Sequence, residues 1–158
     1  VKLCEGVCEV YPFVNKDLLL TGAMLHDIAK TTEYDVGASG IASGYTVEGN
    51  LIGHLVKGAM LVDEAATELS ISREKAMLVE HMLISHHGEP EYGAAVRPMF
   101  LEAELLSELD LMDARVYQIA HAIENVEENG FSSRLWALED RRIYKHEAKQ
   151  DSTKVNLE

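Results

Sequence analysis

The sequence contains few residues of the kinds that define several large protein classes. Its two cysteines, Cys4 and Cys8, are too few for the disulfide framework of a small secreted domain, so we expect a reducing, cytoplasmic environment. Their spacing of four residues in a helical pattern favours buried thiols over metal ligands. No apolar run approaches the roughly 20 residues that a membrane-spanning helix needs. We therefore predict no association with membranes.

Basic residues are scarce relative to acidic residues. The 158-residue chain has 14 Lys and Arg against 27 Asp and Glu, which gives a formal net charge of −13. This balance disfavours a nucleic-acid groove formed by the segment alone, because phosphate binding depends on clustered Lys and Arg. Most of the carboxylates are interpreted as solubilising surface charge. The same charge also suits a site that uses bound cations to attract phosphate.

The length of the chain and its first residues set the expected domain organisation. A domain of this size buries roughly 70% of the surface that its unfolded chain exposes, which predicts one domain with a real core over residues 1–144. The polar segment 145–158 is predicted to be a frayed or disordered tail. The chain opens with Val1 rather than Met and has no secretory signal pattern. We therefore expect a fragment of a longer protein.

Apolar residues recur at intervals of three and four nearly throughout, and two-residue alternation is rare. This pattern predicts an all-α fold. The expected helices are residues 1–10, 15 or 16 to 30, 50–69, 73–87 and 98–126. Ser72 is the expected N-cap of the fourth helix, Gly88 its stop signal, and Pro98 the first residue of the last helix.

One long loop is expected over residues 31–49, which contain four glycines. A short hairpin is predicted within it, around residues 41–47. Loops of this length inside compact domains are usually functional, and we expect this one to close over a bound nucleotide. Near the other end of the chain, Trp136 is assigned to core or interface packing, with base stacking as the alternative.

The residues that carry chemistry are imidazoles and carboxylates near the ends of separate predicted helices. The candidate metal ligands are His26, Asp27, His54, His86, His87 and Asp110. Such a mixture suits Mn, Fe, Zn or Ni rather than Ca or Mg alone. Adjacent side chains on a helix diverge by about 100°. His26 and Asp27 can still bind one ion if that ion lies near the helix end. Otherwise they would contact two ions, with Asp27 as the shared carboxylate.

Each candidate ligand also has a structural interpretation. His54 alone is more often a surface or satisfied histidine, and the pair His86 and His87 could simply cap the last carbonyls of a helix. Asp110 lies in a helix crowded with other carboxylates. The apolar residues before His26 and His86 favour the metal interpretation, since buried imidazoles need partners and a metal would satisfy several at once.

The segment GAMLHDIAK resembles the His-Asp motif of the HD superfamily of metal-dependent phosphohydrolases. More narrowly, three segments together resemble the HD domain of the YhaM-like 3'-5' exoribonucleases, also called CMP-binding factors. They are LLLTGAMLHDIAKTTEY, YTVEGNLIGHLVKGAMLV and EHMLISHHGEPEYGAAVRPMFLEAELLSELDLMDAR. The resemblance spans about Leu18 to Arg115 and implies an HD-type helical bundle.

The resemblance also implies a role for each candidate residue. His26 and Asp27 would be metal ligands, and Asp110 would be the distal carboxylate. A second metal would be held by His54 and by one or both of His86 and His87. Lys30 would face the phosphate. By the family pattern, a further ligand histidine falls before Val1, so the bundle is expected to be truncated at its N-terminus and to lack the OB-type nucleic-acid-binding domain of the family.

Members of this family are similar in removing nucleotides from the 3' end of RNA with Mn²⁺. The resemblance therefore implies a divalent metal, Mn²⁺ ahead of Fe, Ni, Zn or Mg, and the 3' end of RNA or a nucleotide as the substrate. Our hypothesis is that a metal-activated water attacks phosphorus, that Asp27 bridges or orients the ions, and that Lys30 offsets charge on the phosphate oxygens.

Three alternatives remain at this point. The chain could be an HD phosphohydrolase of mononucleotides or cyclic nucleotides, since one fold serves many chemistries. It could instead be a non-catalytic nucleotide-binding HD module. The third alternative is a helical interaction domain whose histidines pack in the core. A homo-oligomer is compatible with each of them.

Overall fold

The computed structural model describes residues 1–37 and 40–147. The described chain is mostly helical, as the apolar periodicity predicts. In chain order, its helices and strands are α1 (Lys2–Val10), α2 (Lys16–Leu25), α3 (Lys30–Glu33), β1 (Tyr34–Val36), β2 (Ala42–Tyr45), α4 (Val47–Leu51), α5 (Gly53–Glu68), α6 (Arg73–Ser85), α7 (Leu101–Ile123), β3 (Gly130–Phe131) and β4 (Tyr144–Lys145). Single 3-10 turns span Pro90–Tyr92 and Trp136–Leu138.

The chain divides into two compact units, Val1–Leu111 and the part from Met112 onward. The first unit contains α1 to α6 and the beginning of α7, together with the antiparallel β1–β2 hairpin. The second contains the rest of α7 and the antiparallel pair β3–β4. All of the predicted site residues lie in the first unit. The predicted domain boundary at residue 144 stays a prediction.

The core of the first unit lies between α1, α2, α6 and α7. Its fully buried members are Cys4, Val14, Leu19, Met82, Leu83, Ala103 and Leu106. The burial of Cys4 confirms the prediction of a packed thiol, and burial raises the pKa of that thiol. Both cysteines are free. Among the described residues, no helix combines the length and the apolar character needed to cross a bilayer.

Helix α2 begins where the sequence predicts and ends earlier. The side chain of Asn15 accepts a hydrogen bond from the Leu18 N–H at 3.1 Å, which caps the first turn. The helix was expected to run to Lys30 but ends at Leu25. Over the next residues the backbone makes bonds of the tighter i to i−3 type, for example from Lys30 N–H to the Asp27 carbonyl at 3.0 Å. This change of winding reorients the His26–Asp27 pair.

Two glycines with positive φ set the helix ends on either side of α5 and α6. Gly53, at φ 73°, separates α4 from α5, so the single helix predicted over residues 50–69 is wrong. Gly88, at φ 77°, follows the end of α6, as predicted. Few other residues adopt this left-handed region without strain. The break at Gly53 leaves His54 in the first turn of α5.

Three further expectations differ from the structure. Helix α7 begins at Leu101 rather than Pro98, and before its start the Met99 N–H donates to the His81 Nε2 atom at 3.0 Å. The predicted loop 31–49 overlaps the short helices α3 and α4, and the hairpin expected around residues 41–47 is present with an earlier first strand, Tyr34–Val36. Trp136 was expected to pack in the core or in an interface; it is 91% exposed, so it does not pack in the core, and interface packing stays a prediction.

The predicted polar tail is described only in part. Lys145, its first residue, lies in β4 and donates from Nζ to the Val126 carbonyl at 2.7 Å. The strand therefore extends one residue into the segment that was expected to be frayed. Residues 148–158 of the predicted tail lie outside the described residues.

Truncation of the buried Met82 tests the packing of the core. Met82 is 0% exposed, whereas Met77 on the same helix is 50% exposed. We expect Met82→Ala to lower the free energy of unfolding by about 2–5 kcal/mol, because it removes buried side-chain atoms and leaves a cavity. Met77→Ala is the matched control and should change it by less than about 0.5 kcal/mol. Urea denaturation followed by circular dichroism measures both, and equal effects would contradict this core.

Candidate metal centre

His26 and Asp27 lie in the tight turns that follow α2. The His26 Nδ1–H donates to the Ala23 carbonyl at 3.0 Å, which directs Nε2 away from the helix. That Nε2 atom lies 3.4 Å from Asp27 Oδ2 and 3.5 Å from Asp110 Oδ1. The turn therefore brings the adjacent pair to one point, although the same pair on a regular helix would diverge by about 100°.

His54 is held by a buried carboxylate on α3. Glu33 is 7% exposed, and its Oε1 accepts from the His54 backbone N–H at 3.0 Å and from its Nδ1 at 2.9 Å. This double contact fixes both the start of α5 and the orientation of the ring. It leaves His54 Nε2 facing Asp27 Oδ1 at 3.6 Å.

His86 and His87 follow the last turn of α6. The His86 Nδ1–H donates to the Leu83 carbonyl at 2.8 Å, and the His87 Nδ1–H donates to the Tyr92 carbonyl at 2.9 Å. The two ring centroids are 4.5 Å apart. His86 is 1% exposed, and its Nε2 lies 3.8 Å from Asp27 Oδ1. Both rings thus reach the same region as His26 and His54.

The four histidines share one hydrogen-bonding arrangement. Three of the acceptors are backbone carbonyls and the fourth is a carboxylate, and such oxygens only accept. The proton of each neutral ring is therefore on Nδ1, and the Nε2 lone pair is available to a cation. An acceptor behind each ring is the usual companion of a metal-binding histidine.

Asp27 lies at the centre of the cluster. Its Oδ1 faces His54 and His86, while its Oδ2 lies 3.4 Å from His26 Nε2 and 2.8 Å from Lys30 Nζ. The two oxygens thus face two different groups of partners. This is the geometry that a bridging carboxylate would have.

Three buried polar atoms in the cluster lack a hydrogen-bond partner: Asp27 Oδ1, His54 Nε2 and His86 Nε2. Each such atom costs about 1–3 kcal/mol when it is left unsatisfied. The nitrogens are lone-pair donors and the oxygen belongs to a carboxylate, so one cation would satisfy all three. Ligand atoms about 2.1 Å from a common ion lie about 3.0–3.5 Å apart. The measured separations of 3.6 and 3.8 Å require only a small contraction.

Two groups of candidate ligands overlap at His86. One consists of His54, His86 and His87, and the other of His26, His86 and Asp110. Within each group the ligand atoms all lie within 4.8 Å of one another. The six predicted ligands are therefore brought together in the first unit, and their role as ligands stays a prediction.

Charge is distributed unevenly within the cluster. Burial lowers the pKa of His86 to about 4, so this ring is neutral at pH 7. Burial also acts to lower the pKa of His26, but the adjacent Asp110 and Asp27 carboxylates outweigh it and raise that pKa. The contact with His26 lowers the pKa of Asp110 against the effect of its burial. Within the cluster, protonation is therefore more favourable at His26, beside Asp110, than at His86.

Lys30, the residue expected to face the phosphate, lies beside Asp27. Its side chain is 40% exposed, and its Nζ contacts Asp27 Oδ2 at 2.8 Å. The ammonium group is thus at the rim of the cluster, accessible to solvent. Its contact with phosphate stays a prediction.

The sequence interpretation missed Glu33. Its one signal was a spacing of three residues along Asp27, Lys30 and Glu33, which places the three side chains near one side of tightly wound turns. In a chain with 27 acidic residues, that spacing did not distinguish Glu33 from a solvated carboxylate.

Comparison of the sequence with known proteins gives matches that include the residues of this cluster. Residues 1–115 match the family model described as HD domain. The chain is similar to the "3'-5' exoribonuclease YhaM" of Bacillus licheniformis and of Bacillus subtilis, at 37% identity over 145 residues in both. It is 38% identical over 144 residues to the protein of the same name in Listeria welshimeri.

These matches cover most of this chain and less than half of each relative. They include 92% of the chain and 45% of the two Bacillus proteins, and 91% of the chain and 45% of the Listeria protein. No solved structure gives a significant match. The family model covers well over half of the chain and includes every candidate ligand. The chain therefore belongs to the HD domain family.

Proposed function

We propose that this chain is the catalytic HD domain of a metal-dependent 3'-5' exoribonuclease, which hydrolyses phosphodiester bonds at the 3' end of RNA and releases mononucleotides. The observation that carries the proposal is the convergence of Asp27 Oδ1, His54 Nε2 and His86 Nε2, buried and without partners. The names of the relatives support the substrate and the direction of degradation. The length that the chain shares with them supports a role as one part of a longer enzyme.

The donor set supports a divalent transition metal as the cofactor. Imidazole favours later first-row metals and carboxylate tolerates harder ones, which is why Mn²⁺ is proposed ahead of Fe, Ni, Zn or Mg. The overlap of the two ligand groups at His86 suits two ions, and Asp27 would help to hold them. The proposed ligands are His26, Asp27, His54, His86, His87 and Asp110.

Such a cation, when bound, supplies a Lewis acid that lowers the pKa of a water and attracts phosphate oxygen. The chain's own residues would do the rest. The Nδ1 hydrogen bonds would keep the histidines in place, the carboxylate of Asp27 would help to hold the cation, and the exposed Lys30 ammonium would offset charge on a non-bridging oxygen. His26 Nε2 holds a proton near Asp110 until a cation takes its place. Since water attacks phosphorus and the ribose oxygen departs, the products are a nucleoside monophosphate and a shortened RNA.

Replacement of Asp27 by Asn tests the proposed catalytic centre. The amide keeps the volume of the side chain but loses the charge, so we expect hydrolysis of an oligoribonucleotide with Mn²⁺ to fall to the level of a metal-free sample. The far-ultraviolet circular dichroism spectrum should be unchanged. The matched control is Asp63→Asn, since Asp63 is 62% exposed and pairs with Arg73, and it should retain full activity.

The reaction products separate this proposal from its rival. A 5'-labelled oligoribonucleotide should give a ladder that shortens one nucleotide at a time, with free mononucleotides. Inorganic phosphate released from nucleotides, with intact RNA, would instead assign a mononucleotide phosphohydrolase. Undiminished turnover by Asp27→Asn would overturn the catalytic role of this residue.

The raised pKa of His26 predicts that cation binding releases a proton. A protonated imidazole cannot bind a metal, and His26 keeps its proton to a higher pH than an ordinary histidine. Affinity for Mn²⁺ should therefore rise with pH through the titration of His26, by up to tenfold per pH unit for one proton. Calorimetry in two buffers with different ionisation enthalpies counts the protons. Affinity that does not vary between pH 6 and 8 would contradict this assignment.

Glu33→Gln tests whether the buried carboxylate orients His54. The amide retains the size but loses the charge that favours the Nδ1–H form, so we expect Mn²⁺ affinity to fall about 10–100-fold. Glu48→Gln is the control, because Glu48 is half-exposed and pairs with Lys57 at 2.8 Å. Nitrogen chemical shifts of the His54 ring report its tautomer directly. Equal affinity for both variants, with an unchanged tautomer, would remove the proposed role of Glu33.

A further inference from the structure

The second unit presents an exposed hairpin that the metal centre does not use. It comprises residues 130–145, here named the C-terminal hairpin, in which β3 pairs with β4 and Leu135 bridges to Arg141. The Ser132 N–H donates to the Ile143 carbonyl at 2.8 Å, and Ser132 Oγ accepts from the Ile143 N–H at 2.9 Å. These bonds hold the two strands of the hairpin together.

Three aromatic side chains of the hairpin are open to solvent. Trp136 is 91% exposed, Phe131 54% and Tyr144 44%. Phe131 and Tyr144 are register partners with ring centroids 5.0 Å apart, so they lie on one face of the strand pair. Trp136 opens the 3-10 turn at the tip. Large exposed rings cost free energy in water, so their concentration in one short segment indicates a surface that binds something.

The hairpin also has the opposite charge to the rest of the chain. Residues 129–146 contain four Lys and Arg against two acidic residues, Glu139 and Asp140, whereas the whole chain has a net charge of −13. Beyond about 8 Å, charges are screened at physiological ionic strength. A ligand at the hairpin therefore responds mainly to charges within that distance, which include the adjacent Glu128 and Glu147 as well as the four basic residues.

The arginines of the hairpin are oriented by backbone carbonyls. The Nε–H groups of Arg141 and Arg142 donate to the Leu138 and Ser132 carbonyls, and Arg134 donates from Nη1 to the Asp140 carbonyl. Because a carbonyl has no net charge, these hydrogen bonds do not neutralise the positive charge of the guanidinium groups. Arg141 also lies 4.0 Å from the Glu139 carboxylate.

The cations are interleaved with the rings. The Arg142 guanidinium carbon lies 5.2 Å from the centroid of the Phe131 ring, within the range of a cation–π contact. Arg142 is two residues before Tyr144, and Arg134 is two residues before Trp136. Alternation of rings and guanidinium groups is the pattern of a surface that stacks bases and contacts phosphates. Arg and aromatic side chains are also enriched in protein–protein interfaces. We favour a polynucleotide because three guanidinium groups lie among the rings and each can bind a phosphate through two parallel hydrogen bonds.

We propose that the C-terminal hairpin binds a single-stranded polynucleotide, with bases stacked on Trp136 and on the Phe131–Tyr144 face and with phosphates contacted by Arg134, Arg141 and Arg142. This site lies outside the candidate metal centre and requires no metal. The rings and cations recognise bases and phosphates, which RNA and DNA have in common. With few cations and an acidic chain, the expected dissociation constant is in the range of about 10⁻⁶–10⁻⁴ M at physiological salt.

The test measures binding without catalysis. The intact chain is titrated into fluorescently labelled oligoribonucleotides and oligodeoxyribonucleotides of about 12 nucleotides, in buffer with EDTA to prevent metal-dependent cleavage. Anisotropy of the label reports affinity. Trp136 is the one tryptophan in the sequence, so quenching of its emission by unlabelled oligonucleotide reports stacking on that ring. Failure of the metal centre would leave this measurement unchanged.

Matched variants assign the binding to the hairpin. We expect Trp136→Ala and Phe131→Ala each to weaken binding about tenfold. Phe13→Ala is the control, since Phe13 is 75% exposed in the first unit, and it should have no effect. Arg142→Gln should lower the slope of log affinity against log salt by about 0.7. Arg73→Gln, an exposed arginine of α6, should leave the slope unchanged.

Quenching of Trp136 and the affinities of the variants decide whether the hairpin binds a polynucleotide. Quenching of Trp136 together with weaker binding by both aromatic variants supports it, and binding of RNA alone would narrow the ligand to RNA. Unchanged affinity in both aromatic variants, or no binding of either polynucleotide, overturns it. If Trp136→Ala alters sedimentation of the chain but not its polynucleotide affinity, the hairpin is a contact between copies and the proposal is wrong.

Discussion

The structure depends on the way in which four imidazole rings are held by their Nδ1 atoms. Each Nδ1–H is bound to an oxygen that can only accept, so each Nε2 faces the same small volume. Asp27 enters that volume from the turn after α2. Several of these atoms are buried and unpaired, a condition that a folded chain tolerates only when something else satisfies it.

The helix ends serve this arrangement. The tight turn after Leu25 brings His26 and Asp27 to one point, the break at Gly53 places His54 in the first turn of α5, and the end of α6 before Gly88 leaves two imidazoles beyond its last turn. Side chains at the ends of packed helices are held rigidly and remain accessible to a ligand. The core between α1, α2, α6 and α7 fixes the positions of these helices, and the candidate ligands extend from their ends.

The sequence predicted the helices, and the set of side chains that lie together around Asp27, better than it predicted how those side chains are held. Apolar periodicity located α1, α2, α6 and α7, since burial of one face is a property of the sequence itself. Glu33 could not be recognised, because its value lies in a contact 21 residues away in the chain. Trp136 was assigned to core or interface packing, whereas it is exposed on the hairpin.

The chemistry proposed for this chain requires that divalent cations bind between these histidines and Asp27. The most direct measurement is an anomalous difference map from crystals of the chain grown with Mn²⁺. We expect strong peaks within bonding distance, about 2.0–2.3 Å, of His54 Nε2 and His86 Nε2, with an Asp27 oxygen as a further ligand. A map with peaks elsewhere and none at these atoms, in crystals where the three side chains are well ordered, would contradict it.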